Sequence, residues 1–339
     1  GSVPLDLSGK AIVSKTGHGL EFTHDTTAGE NPGTHLTVTN GTIKGRDGSA
    51  TDPNGAAGVF ANNDAKNAAI TVGKGATIQG GNGVKGTAAN TRAANPLNGG
   101  NGGAGIDGNI LPTVANGGTV IGGNGGNGAN SETAAPGHGG KGGVGIRTTD
   151  QTVTVADGGT VKGGKGGNGG DATGENTKPG GNGGEGGTAV DRGSAALKND
   201  GTIIGGDGGK GGKSGKGPGG NGGAGGSTTN PGNGGTTGGG TDNGGAGGGG
   251  GGPAAGPGGG GGAGGDSNNG QGGNGGQGGG GTKPGTDGKP GSGSTEQPGA
   301  DALKELVIVG NGTVKIHGTA TYTVIGKDQD GKAFDLTNV

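Results

Sequence analysis

GGTVIGGNGGNG (117–128) sets β-branched residues against a run of Gly-Gly-X triplets, and GGTVKGGKGGNG (158–169) repeats the join 41 residues later. Strand formers and the residue least suited to strands meet twice in the same order, so the join itself needs explaining. A strand-like stretch running into Gly-Thr or Ala-Thr recurs at 36–45 (LTVTNGTIKG), 70–80 (ITVGKGATIQG), 113–122, 153–163, 195–205 and 306–316. The marker threonines are Thr42, Thr77, Thr119, Thr160, Thr202 and Thr313, separated by 35, 42, 41, 42 and 111 residues. Three nearly equal spacings in succession define a structural period.

Composition excludes an ordinary globular core. Of 339 residues 108 are Gly, aromatics make up 1% and the hydrophobic set 23%. Ordering so much glycine is entropically expensive, and little Leu, Phe or Met is present to offset it in a wide interior. The net charge of −2, with Lys and Arg thinly spread, argues against a nucleic-acid surface or a polybasic membrane anchor. With no Cys, disulfides, thiolate metal sites and Cys nucleophiles are excluded, which suits export through an oxidising compartment. No apolar run reaches the length of a membrane span. The chain opens GSVPLDL, without Met, and is read as an internal piece of a longer protein.

Each repeat has one internal order. Alternating apolar residues such as Val153 and Val155 give a strand with one buried face, a turn of Asn, Asp or Gly follows, and a second short strand carries Thr160 and Val161. A Gly-Gly-X arm (163–170), a polar tip (171–179) and a second arm (180–187) then lead back to Ala189 and Val190. The same out-and-back order holds at 122–145 and 80–105. Removing the excursion leaves 17 residues of the 42-residue repeat, or about 56 Å of extended chain, the perimeter of one solenoid coil. The arms fit a polyproline-II-like helix, whose three-residue period puts X on one face and Gly on the other two. Bare faces let neighbouring helices exchange backbone hydrogen bonds. Collagen wants one Gly and frequent Pro per triplet, a different pattern.

The expected fold is all-β: a right-handed parallel β-solenoid with protruding glycine-rich polyproline-II arms. Its expected domains are N-terminal coils (1–79), coils with three arms (80–202), one long glycine-rich multi-helix insertion (203–300) and further coils (301–339). Leu5, Ile12 and Phe22 are expected to point inward in the first coil.

The steps NGTI (40–43) and GGTV (117–120) resemble the coil ends of β-helical passenger domains of bacterial autotransporter surface proteins. The arms are similar to the glycine-helix bundles of certain phage tail-fibre adhesins and of a springtail antifreeze protein. The first resemblance implies secretion across a bacterial outer membrane by a β-barrel outside this sequence, and adhesion or display at the cell surface.

Chemical motifs are few. The stretch DGGKGGKS (207–214) lacks the first Gly of a nucleotide-binding loop and no helix-forming sequence follows it. The calcium-roll pattern GGxGxD occurs once, at Gly102, Gly103, Gly105 and Asp107, where tandem copies are needed. Asp107, Arg147 and Asp191 stand at comparable points after returning arms and are read as a row that solvates a coil corner. The five His residues show no metal-ligand spacing. No catalytic residue, cofactor or metal is expected. The expected role is a non-enzymatic, secreted or cell-surface adhesive display scaffold. Its candidate contact residues lie at the tips: Asn90, Thr91, Arg92, Ser131, Glu132, His138, Glu175, Asn176 and Lys178. The expected partners are a host-cell or abiotic surface, a glycan or another copy of the chain, with no nucleic acid and no membrane insertion. Ice binding, or a β-helical carbohydrate-active enzyme, is the alternative.

Overall fold

The computed structural model describes residues 2–23, 34–62, 68–87, 98–173, 177–214 and 217–230, and beyond 230 short pieces at 236–237, 241–243, 270–271, 277, 286–290, 305–309, 323–327 and 333–334. Three short strands recur in each turn of the chain. The first turn holds β1 (Ser2–Asp6), β2 (Ala11–Val13) and β3 (Leu20–Phe22); the second β4 (His35–Thr39), β5 (Gly41–Lys44) and β6 (Val59–Ala61). The third holds β7 (Ala69–Val72), β8 (Ala76–Gln79) and β9 (Ile106–Gly108); the fourth β10 (Leu111–Val114), β11 (Thr119–Ile121) and β12 (Ile146–Arg147). The fifth holds β13 (Val153–Val155), β14 (Thr160–Lys162) and β15 (Val190–Asp191); the sixth β16 (Leu197–Asn199), β17 (Thr202–Ile204) and β18 (Thr229–Asn230). β19 (Thr236–Thr237), β20 (Thr241–Asn243) and β21 (Gly270–Gln271) follow.

Equivalent strands of successive turns pair in parallel. The result is three sheets, β1-β4-β7-β10-β13-β16-β19, β2-β5-β8-β11-β14-β17-β20-β21 and β3-β6-β9-β12-β15-β18. This is the all-β, parallel solenoid arrangement, and no helix occurs among the described residues. The marker threonines stack in register, Thr42 on Thr77, Thr119, Thr160 and Thr202.

Register carries the core. One inward row runs Ile43, Ile78, Val120, Val161, Ile203, a second Val38, Val72, Val114, Val155, and a third Val59, Ile106, Ile146, Val190. All of these side chains are fully buried, so in the second to fifth turns a β-branched residue on each wall fills a narrow tube. The corner between the first and second strands needs a left-handed residue. Asn40 takes it at φ 52° and Gly117 at φ 73°.

The first coil keeps the expected inward faces, with Leu5 stacked on Val38, Ile12 on Ile43 and Phe22 on Ala61. β1, β2 and β3 each have a neighbouring strand on one side only, so cover is incomplete: Leu5 and Phe22 are partly buried against the core and Ile12 is 37% exposed.

Two domain expectations are corrected. Residues 203–300 were expected to be a single long insertion, yet β18 to β21 continue the three sheets, with Thr202 over Thr241. The solenoid step there reads GTDN, with Asp242 where earlier coils have Val or Ile, so its hydrophobic marker is missing. In 301–339, expected as further coils, the described strands β22 (Glu305–Val309), β23 (Thr323–Lys327) and β24 (Ala333–Phe334) pair antiparallel. They belong to a separate compact unit, Ser294–Val339. Alternating apolar residues serve either pairing direction, so LVIV (306–309) alone did not decide it. Thr313 lies outside the described residues.

Candidate functional site

The excursions all leave the solenoid at one corner. In every turn from the second to the sixth, the chain departs after the second strand and returns to start the third, at 45–58, 80–105, 122–145, 163–189 and 205–228. Outgoing segments therefore stack on outgoing segments and returning on returning, in two adjoining layers.

The three residues of a Gly-Gly-X triplet meet three environments. The middle glycine is buried and links the layers: Gly226 donates to Gly206, Gly206 to Gly187, Gly187 to Gly164, Gly164 to Gly143, Gly143 to Gly123, Gly123 to Gly103 and Gly103 to Gly81, at 2.7–2.8 Å. One chain of amide hydrogen bonds thus crosses every segment from the sixth turn to the third. The first glycine donates within its own layer to the X carbonyl of the next turn, as Gly125 does to Lys165 and Gly142 to Glu185. A β-carbon on Gly143 would stand 2.0 Å from the Gly103 oxygen, and one on Gly125 2.0 Å from the Gly140 oxygen. Both glycines are therefore required, which is why the triplet holds two where collagen needs one.

The X residue faces water, and its own N–H needs an acceptor. Where the X residue of the preceding turn is Asn, its side chain supplies one. Asn124 Oδ1 accepts the Lys165 amide at 3.0 Å while Gly125 donates to the Lys165 carbonyl at 2.8 Å. Each such Asn-Gly step clamps both backbone groups of one residue in the next turn, whatever side chain that residue carries. Eight steps do so among the described residues, including Asn82-Gly83 on Asn124, Asn127-Gly128 on Asn168 and Asn182-Gly183 on Asn221. Asp47 and Asp171 replace Asn in the same geometry, accepting from Asn82 at 2.7 Å and Lys213 at 2.8 Å. His138 does so through Nδ1, accepting the Asn182 amide at 2.9 Å. The clamp escaped the sequence reading, although Asn repeating before Gly at X positions was its visible signal.

Side chains on these faces form rows across the turns. One row reads Asp47, Asn82, Asn124, Lys165, Asp207 and closes with a Lys165–Asp207 ion pair of 3.2 Å; on the other face Lys141 meets Glu185 at 2.8 Å. Burial pushes the Asp47 carboxyl up, but the Lys44 hydrogen bond and the Asn82 amide outweigh it, and its pKa lies below the ordinary value.

The sequence-derived tip residues divide. Asn90, Thr91, Arg92, Glu175 and Asn176 lie outside the described residues. Ser131 and Glu132 occupy a tip; Ser131 donates its amide to Asp171 and pairs through Ala172 with Ser214, so the turns beneath the tips are themselves in register. Lys178 is an exposed residue of the next tip, and its carbonyl accepts the Ser214 hydroxyl at 2.8 Å. His138 sits within the returning arm, where it serves the ladder.

Asp107, Arg147 and Asp191 do line up, on β9, β12 and β15. Arg147 stands between the carboxylates, 3.4 Å from Asp107 and 3.8 Å from Asp191. Burial raises the Asp191 pKa, Arg147 opposes this and Asp107 adds to it. With the guanidinium shared between them, the two acids form a surface ion-pair row. In the stretch 207–214 the amides of Gly209 and Gly212 go to the Gly184 and Gly181 carbonyls, which leaves those donors unavailable to a phosphate. Among the described residues no group of three His, Cys, Asp or Glu is placed to hold a metal ion, and no helix is long and apolar enough to cross a membrane.

No family model matches the chain, and no curated protein matches it. Among solved structures it is similar to the springtail antifreeze protein of Granisotoma rainieri, described as a nine polyproline type II helical bundle whose crystal waters match the ice lattice. The identity is 29% over 54% of this chain and 94% of that one, with a TM-score of 0.25. The fold assignment rests on the strand pairings above.

Proposed function

We propose that this chain is a non-enzymatic display scaffold of the secreted or cell-surface kind, in the manner of an autotransporter passenger. Its Gly-Gly-X arms are polyproline-II-like helices that hold the tips toward a surface, a glycan or another copy. The arm reading is supported by the three-residue alternation of buried, exposed and intermediate positions and by amides that bond to neighbouring arms. The observation that carries the function is the common corner: successive excursions leave the solenoid at the same place and stack in register, on a support whose middle-glycine amides bond from arm to arm among the described residues. Tip residues such as Glu132 are exposed and change without disturbing the ladder. An ice-binding face would call for a uniform array, whereas the rows mix Asn, Lys, Asp and His.

Beads coated with the chain are to be tested against cells, immobilised glycans and one another, beside a version with 129–136 and 171–179 replaced by Gly-Ser. Attachment that is lost on tip replacement is expected. Attachment that survives it, or none in either version, overturns the proposal, and thermal hysteresis with intact arms would then favour ice binding.

A further inference from the structure

Asparagine followed by glycine is the step at which a chain most readily loses ammonia, one source of the thermal lability of Asn. The glycine amide nitrogen gives up its proton and attacks Cγ of the preceding Asn. The Cγ–Nδ2 bond breaks, Nδ2 leaves as ammonia carrying that proton, and water then opens the five-membered imide to Asp or isoaspartate. Isoaspartate lengthens the backbone by one atom, which a ladder repeating every three residues does not accommodate.

The reaction requires the glycine nitrogen and the carboxamide of one step to turn toward each other. In a clamp both turn away, to the same residue of the next turn: Asn127 Oδ1 accepts the Asn168 amide at 2.9 Å and Gly128 donates to the Asn168 carbonyl at 2.8 Å. Attack on Cγ would break both bonds and bring a buried or half-buried glycine out of the layer. Asn116-Gly117 is differently placed. It forms the corner between β10 and β11, both residues are exposed, Gly117 has φ 73°, and its amide makes a single bond of 3.0 Å to Gly158. Among the described residues no amide of the next turn bonds to Asn116 Oδ1. Asn40-Gly41 occupies the same corner two turns earlier, but its carboxamide donates to Asp6 Oδ1 at 3.2 Å.

We propose that Asn116 deamidates ahead of the clamped Asn-Gly steps of the arms, which the folded chain spares. The clamp thus has a second role beside order, preserving a chain of many labile dipeptides during long exposure on a surface.

The native chain and the same chain unfolded in urea are to be held at 37 °C in mildly alkaline buffer and mapped by peptide mass spectrometry. Unfolded, all Asn-Gly steps are expected to convert at similar rates. Folded, Asn116 is expected to convert at least about tenfold faster than Asn124, Asn127 and Asn168, the ratio set by local opening of the arms. Lys165→Pro then removes the one amide that Asn124 Oδ1 accepts while keeping the carbonyl for Gly125. Pro218 already stands at such a position, its carbonyl accepting from Gly180. This variant is expected to accelerate Asn124 and leave Asn182 unchanged. Clamped asparagines that convert in the folded wild-type chain as fast as Asn116 overturn the proposal, whatever Lys165→Pro does to the arm. An unchanged Asn124 rate in that variant overturns the clamp as the cause.

Discussion

The solenoid wall and the arm layer share one register and reach order by opposite means. In the wall, strands satisfy the backbone and side chains do the packing: Ile43, Ile78, Val120, Val161 and Ile203 stack with no exposure. In the layer the backbone is both ladder and core, and the absence of side chains at two positions in three is what lets it close. A small apolar content therefore suffices for a long chain. The hydrophobic effect is concentrated in a narrow tube, and backbone hydrogen bonds bury the rest.

The contrast breaks most sharply where a side chain is added to the layer. Gly143→Val, whose β-carbon would stand 2.0 Å from the Gly103 oxygen, is expected to destabilise its arm by about 3 kcal/mol or more, since backbone on both sides has nowhere to move. Protease susceptibility at 122–145 and the unfolding midpoint check it. A side chain trimmed in the wall costs less: Ile146→Val, fully buried, is expected to lose about 0.5–1.5 kcal/mol in chemical denaturation. Equal penalties would erase the distinction.

Smaller changes sharpen it. Asn124→Ala removes the acceptor for the Lys165 amide and is expected to cost about 1 kcal/mol. Asn124→Asp is expected to cost less, because Asp47 and Asp171 already hold the same place. Denaturation of both variants decides. The acid response follows from Asp47. Its pKa is lower folded than unfolded, so its contribution is present above the unfolded value and lost as pH falls through the folded one. Asp47→Asn retains an acceptor oxygen and removes the charge. Its thermal midpoint is expected to lie below wild type at neutral pH and to converge with it in acid. Asp191, raised by burial, has the opposite sign, and Asp191→Asn is expected to raise the midpoint slightly near neutrality. Lys141→Ala, losing an exposed pair with Glu185, is expected to change stability by less than about 0.5 kcal/mol.

Much of this was legible in the sequence because each signal was periodic. Thr42 to Thr202 gave the coil register, Val153 and Val155 the inward face, and the Gly-Gly-X spacing the three environments of an arm. The turn at Thr241 was hidden because its marker is followed by Asp242, and hydrophobicity was the signal sought. Ile12 lies in the inward row over Ile43 as its period implies, but period reports which face a residue shares, not how fully a neighbouring coil covers it. The Asn-Gly clamp was missed because Asn before Gly also reads as a turn; only the stacking of one turn on the next separates the two meanings.

The most direct test of the account is residue-resolved amide hydrogen exchange at Gly103, Gly123, Gly143, Gly164 and Gly187, compared with Val120 and Val161 in the wall. A layer held by one continuous ladder predicts protection of these glycine amides that approaches that of the wall and drops together along the ladder in Gly143→Val. Exchange at the rate of an unstructured glycine-rich peptide would contradict it and leave the arms as tethers.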